Sequence, residues 1–243
     1  MPRVLLKRFH NKNNQLCYYD VQKDVIGSKG SAKSINTELG YYSEQTENYF
    51  RDEIETPFGE ILSEIERNDL SSETLVIGSK ATHVVKNFIY ALIARGPSFS
   101  QQMNAEKEFW QEFPVQLQHD VVAKIGIRIA SENNILSDYF LTFMINTTEV
   151  PFVLSMDGIY SYRLNGYPVV NLPISPNMTV SLIHRDYSGR FLLGDDSVVM
   201  LEINDPAHIK LMNDKAFSSQ VRRKWGYVVC PEKKELLRLS DSL

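Results

Sequence analysis

The hydrophobic period of this chain changes near residue 137, and that change constrains the fold more than any other feature. Before it, Phe50, Ile54, Phe58, Ile61 and Ile65 recur every three or four residues, one face of an amphipathic helix. Pro57 lies inside this pattern, so it either kinks the helix or opens a second one capped by Thr56. Similar spacing predicts helices over Ser79–Arg95, Phe99–Phe113 and Leu117–Asn133. Gly96-Pro97 and Asn133-Asn134 supply two of the stops. After Ser137 the chain reads as short β-branched or aromatic runs: Tyr139–Asn146, Pro151–Ser155, Ile159–Arg163, Met178–His184 and Ser197–Ile203. A capped helix, Pro206–Ser219 behind Asp205, and a strand, Trp225–Cys230, follow.

Helices followed by strands, rather than alternating with them, predict an α+β fold: a central helical block, then a mostly antiparallel sheet. Before the block, Gln15–Val21 reads as a strand and the glycines and serines around Gly27 as a loop. The charged tail from Glu232 is expected to fray. No Pro/Gly/Ser linker separates the halves, which favours one domain over 1–243; the alternative divides it into 1–137 and 138–243.

Several function classes lose support. No apolar stretch approaches the roughly 20 residues of a membrane span, and the basic N-terminus has no apolar signal core. Two cysteines, Cys17 and Cys230, are too few for a disulfide framework and read as reduced thiols in a cytoplasm. The five histidines lack zinc-helix spacing, and glycine-rich phosphate loops and Gly-x-Ser-x-Gly are missing. No cofactor motif is present. A divalent metal stays open through Gly194-Asp195-Asp196 and Glu202, although Gly-Asp is also an ordinary turn pair.

Charge is unevenly spread. The net value of −4 hides +5 over residues 1–33, −9 over 38–73 and +4 over 208–224. Arg222, Arg223 and Lys224, beside Trp225 and Tyr227, form the basic segment that would contact nucleic acid. Against this, charge runs are usually solvated faces. Asp157 follows a strand end, where a carboxylate can act as base or metal ligand, but Asp157-Gly158 is also a hairpin-turn pair. Arg95 ends an apolar helix, either complementing its dipole or forming a buried fork to an anion.

Four segments together resemble a family of bacterial proteins, the domain-of-unknown-function family four-two-three-eight. The first is Pro2-Arg3-Val4-Leu5-Leu6-Lys7-Arg8-Phe9, similar to its His-aromatic-x-Pro opening and aromatic/Leu run ending in Phe; the leading His would fall just before Met1, so it is either missing or lies ahead of a start assigned too late. Leu92–Pro97 resembles its Arg-Thr-Pro helix end. Phe152–Gly158 with Leu172–Pro176 resembles its Ser-Asp-x-Pro and Pro-Leu-Ser-Pro elements, with an extra residue between Ser155 and Asp157 and no Pro. Leu201–Asn204 before Pro206 resembles its hydrophobic-Asn helix start. The resemblance implies one domain and brings no activity with it.

Two expectations follow. In the first, Arg3, Arg95 and Asp157 meet in one pocket of a hydrolase or nuclease-type effector, the arginines clamping an anion and Asp157 acting as base. In the second, the chain is a non-catalytic binding or interaction module that takes nucleic acid on Arg222, Arg223 and Lys224.

Overall fold

The computed structural model describes residues 2–29, 41–67, 74–76, 78–96, 113–164, 166–187 and 197–242. The fold is α+β, with two mostly antiparallel sheets rather than the one expected. It divides into two compact units: a β-rich unit of Met1–Thr37, Ser71–Val76 and Tyr139–Leu243, and a helical unit of Glu38–Leu70 and Ile77–Asp138. The change of texture at Ser137 coincides with one of the crossings between them.

In the helical unit, α2 (Glu44–Tyr49) starts at Ser43, whose side chain accepts the Thr46 N–H. It passes through a π-helical stretch, Phe50–Glu55, into α3 (Thr56–Arg67). The Thr56 N–H reaches five residues back to the Arg51 carbonyl, the wide π spacing. Pro57 explains it: with no N–H, proline cannot continue the regular ladder. The result is one continuous helical run with a local widening. Phe50, Ile54, Phe58 and Ile65 of the expected stripe are buried, but Leu62 takes the buried place expected of Ile61, which is only partly buried.

The next helix, α4 (Gly78–Arg95), stacks Phe88 on Phe58 with ring centroids 3.8 Å apart. A further helix, α5 (Val115–Glu132), holds the segment ahead of α2 through side chains. Its Gln116 donates to the Tyr42 carbonyl, its Asp120 accepts the Ser43 N–H, and its His119 ring stacks on Tyr41 at 3.8 Å. The helix expected over Phe99–Phe113 lies almost wholly outside the described residues.

In the β-rich unit, a short helix, α1 (Arg3–Leu6), and a 3-10 turn bury Leu5, Leu6 and Phe9. One sheet runs in the order β2 (Val25–Lys29), β1 (Leu16–Asp20), β10 (Tyr227–Cys230), β5 (Leu154–Ser155). The other runs β3 (Thr74–Val76), β9 (Ser197–Ile203), β4 (Tyr139–Asn146), β8 (Met178–His184), β7 (Tyr167–Ser175), β6 (Tyr160–Leu164). Only β4 and β9 pair in parallel among the described strands. A shared core joins residues of both sheets to α6 (Pro206–Arg222) and α7 (Lys233–Ser240), including Tyr19, Phe152, Ile183, Phe217, Val228 and Leu236.

Three segments depart from the sequence reading. The loop expected around Gly27 is strand β2, because the Tyr18 ring lies across this glycine and a Cβ there would sit 2.5 Å from its hydroxyl. Next, β7 contains Pro168, Asn171 and Pro173, which hide it, and its register shifts at Pro173/Ser175, where a missing N–H is tolerated. Finally, the tail from Glu232 does not fray but forms α7. Leu236 and Leu239 are fully buried there, and Arg238 bonds Glu235 and Asp214.

Candidate functional site

The site stands at the C-terminal end of α6. Asp205 caps the start of this helix by accepting the Ala207 N–H at 2.9 Å, and Pro206 occupies its first turn, as the sequence predicts. Ile209, Met212, Ala216 and Phe217 bury one side of the helix, while Lys215, Ser218 and Arg222 are exposed on another. Seven residues separate Lys215 from Arg222, about 10 Å along the axis. Asp214, the acid beside them, accepts from Arg238 at 2.9 Å.

The helix ends in a tight reversal. Lys224 has φ 59°, the left-handed position that usually follows a helix and that glycine or asparagine favours. Its N–H donates to the Val221 carbonyl at 2.9 Å. Gly226 has φ 89°, and a Cβ there would meet Met156 Sδ at 2.6 Å and Gln220 Nε2 at 2.9 Å. Glycine is therefore required by both backbone and space. Gln220, wholly buried, donates to the Trp225 carbonyl at 2.7 Å.

Against this reversal packs the turn between β5 and β6, Ser155-Met156-Asp157-Gly158. The Gly158 N–H donates to the Ser155 carbonyl at 2.9 Å, and Gly158 has φ 77°. Asp157-Gly158 is thus a tight turn but not the expected hairpin, because β5 pairs with β10 in one sheet and β6 with β7 in the other. The turn also carries the Asp157 carboxylate to within 2.7 Å of Arg223 Nη1, with 9% of the Asp157 side chain and 31% of the Arg223 side chain exposed. This nitrogen makes no well-directed hydrogen bond among the described residues, so proximity of charge holds the pair, not an aligned N–H. Burial pushes the Asp157 carboxyl above its ordinary range, and the Arg223 charge opposes that rise without cancelling it.

The structure thus joins two sets of residues that the sequence left apart, the proposed base Asp157 and the basic segment. Arg222 and Lys224 flank the pair and are exposed. The Arg222 Nε donates to the Ser218 carbonyl at 3.2 Å, which orients its stem along the helix. The three consecutive cations Arg222, Arg223 and Lys224, set against one carboxylate and the roughly half negative charge of a helix C-terminus, leave this segment a net charge of about +1.5. Trp225 beside the segment is half-buried, whereas Tyr227 is engaged edge-on with Tyr18 at 5.6 Å.

Of the other predicted residues, Arg3 belongs to the same unit as Asp157 and Arg95 to the helical unit. Arg3 is exposed on α1. Arg95 donates to Glu55 at 3.0 Å and lies 4.3 Å over the Phe50 ring. The neighbouring Tyr42 hydroxyl is pushed up to about 12 by burial, with the Arg95 charge pulling it back. The π-helical stretch supplies both Phe50 and Glu55. Gly194-Asp195-Asp196 lie outside the described residues. Among the described residues no group of three His, Cys, Asp or Glu could hold a metal ion, and no helix is long and apolar enough to cross a membrane.

Comparison with known proteins follows the same lines. A family model described as "Protein of unknown function (DUF4238)" matches residues 1–217. The chain belongs to this family. No curated protein and no solved structure matches it. The DUF4238 match includes Asp157 and ends at residue 217, inside α6, so the basic reversal follows the matched span.

Proposed function

We propose that this DUF4238 chain is a non-catalytic binding module that holds nucleic acid by its phosphate backbone on Arg222, Arg223 and Lys224. The Asp157–Arg223 pair is the observation that carries this reading. A carboxylate that is mostly buried and already pressed against a cation is poorly placed to take a proton from a substrate. It instead holds part of the Arg223 charge, while its exposed neighbours Arg222 and Lys224 meet phosphates. The exposed Lys215, two turns back on the same helix face as Arg222, extends the basic track. A cytoplasmic setting fits the two free, buried cysteines.

Fluorescence anisotropy with a labelled single-stranded oligonucleotide tests the reading. Wild-type affinity falls linearly with salt on logarithmic axes. In the Arg222→Ala/Arg223→Ala/Lys224→Ala variant that slope shrinks by about 2, three phosphate contacts at roughly 0.7 each. Affinity that ignores salt, or that the triple variant retains in full, would remove the proposal.

One observation favours a second reading, a hydrolase or nuclease-type effector with Asp157 as base: burial raises this carboxyl above its ordinary range, the direction that makes a carboxylate more basic. Arg3 would supply an exposed cation, whereas Arg95 already has Glu55. Oligonucleotide cleavage by wild type that disappears in Asp157→Asn would put this reading in place of the first.

A further inference from the structure

Outside the candidate site, the two cysteines stand directly opposite each other. The β1–β10 ladder is antiparallel with Cys17 facing Cys230. Opposed residues of an antiparallel pair project to the same face, with Cα atoms about 4.5 or 5.5 Å apart. Both values fall within the roughly 4.4–6.8 Å that a disulfide spans. Both side chains belong to the shared core of the β-rich unit, both are free thiols, and neither has a role in the binding reading.

We propose that Cys17 and Cys230 form a reversible cross-strand disulfide when the protein meets a peroxide. The pair is asymmetric, and the asymmetry sets the order of events. Cys17 is 6% exposed and Cys230 is fully buried. The Cys17 Sγ lies 3.7 Å from the Pro231 carbonyl, and the Lys233 charge favours its thiolate, partly offsetting the rise that burial causes. Burial pushes the Cys230 thiol up much further. The Cys17 thiolate therefore attacks the peroxide O–O bond first, giving a sulfenic acid and, after protonation, water. The Cys230 sulfur then attacks Cys17 Sγ. The S–O bond breaks, hydroxide leaves, and it takes the Cys230 proton as a second water. Two thiols and one hydrogen peroxide become one disulfide and two waters. Adjacent strands hold opposed Cβ atoms about 4.5–5.5 Å apart, wider than the roughly 3.8 Å of a relaxed disulfide. The bridge is therefore strained, and strained bridges are the readily reduced ones.

The test uses the full-length reduced chain, exposed to hydrogen peroxide and then alkylated under denaturing conditions. Intact mass and a non-reducing peptide map should show loss of two hydrogens, no alkylation, and a peptide joining Cys17 to Cys230. Dithiothreitol should restore both thiols. The bridged form should also unfold at a higher temperature, because the cross-link ties strands near both ends of the chain. Three results would overturn the proposal: two alkylatable thiols after a treatment that oxidises glutathione in the same tube, sulfinic acid on Cys17 without a bridge, or a Cys17-linked dimer.

Discussion

Lys224 occupies a backbone position that suits glycine, and this mismatch is informative. A left-handed lysine costs about 1 kcal/mol relative to glycine, and such local costs concentrate at functional positions. Lys224→Gly should therefore raise stability in urea by about 0.5–1 kcal/mol while weakening oligonucleotide binding. A variant that gains stability and loses no affinity would leave the lysine without its role. Asp157 makes a second prediction at this scale. Its carboxyl is raised in the folded chain, so the fold holds the proton more tightly than the unfolded chain does. Its contribution to stability is full below the ordinary carboxylate range and is lost as pH rises through the raised native value. Wild type should thus lose stability relative to Asp157→Asn over that rise, read from urea midpoints across pH. A constant difference would mean that the Asp157 carboxyl is not raised.

Among the elements, α7 depends most on what sequence patterns conceal. Asn213 on α6 accepts the Val153 N–H at 3.0 Å and donates to the Pro151 carbonyl at 2.9 Å and to Glu235 at 2.8 Å. One buried amide thus satisfies the backbone leading into β5 and ties α6 to α7. Asn213→Ala strands two buried backbone groups and removes one donor from Glu235, which keeps Arg238, and should cost about 2–4 kcal/mol by denaturant unfolding. A loss under 1 kcal/mol would mean that water replaces the amide. Regular periodicity made β4, α4 and α6 legible, with Asp205 read correctly as a cap. What the periodicity concealed depended on tertiary partners. A charged tail becomes a helix because Leu236 and Leu239 find a core, a glycine sits in a strand because Tyr18 covers it, and β7 keeps its prolines because the ladder shifts there. The site followed the same rule. Asp157 and Arg223 were each legible as candidates, but 66 positions separate them, and no local pattern announces that they pair.

At the scale of the whole molecule, an acidic chain with a net charge of −4 can still bind a polyanion if its cations are gathered and its acids are occupied elsewhere. Around the end of α6 they are: Asp214 is taken by Arg238 and Asp157 by Arg223, leaving Lys215, Arg222 and Lys224 exposed. In the proposed binding role, Asp157 holds a cation rather than moving a proton. The most direct measurement is the affinity of wild type and Asp157→Asn for one labelled oligonucleotide at neutral pH. Neutralising the carboxylate frees Arg223 and adds a positive charge to the site, so the account predicts tighter binding, by a few-fold, with the oligonucleotide intact in both samples. Binding lost in Asp157→Asn, or cleavage by wild type alone, would contradict it.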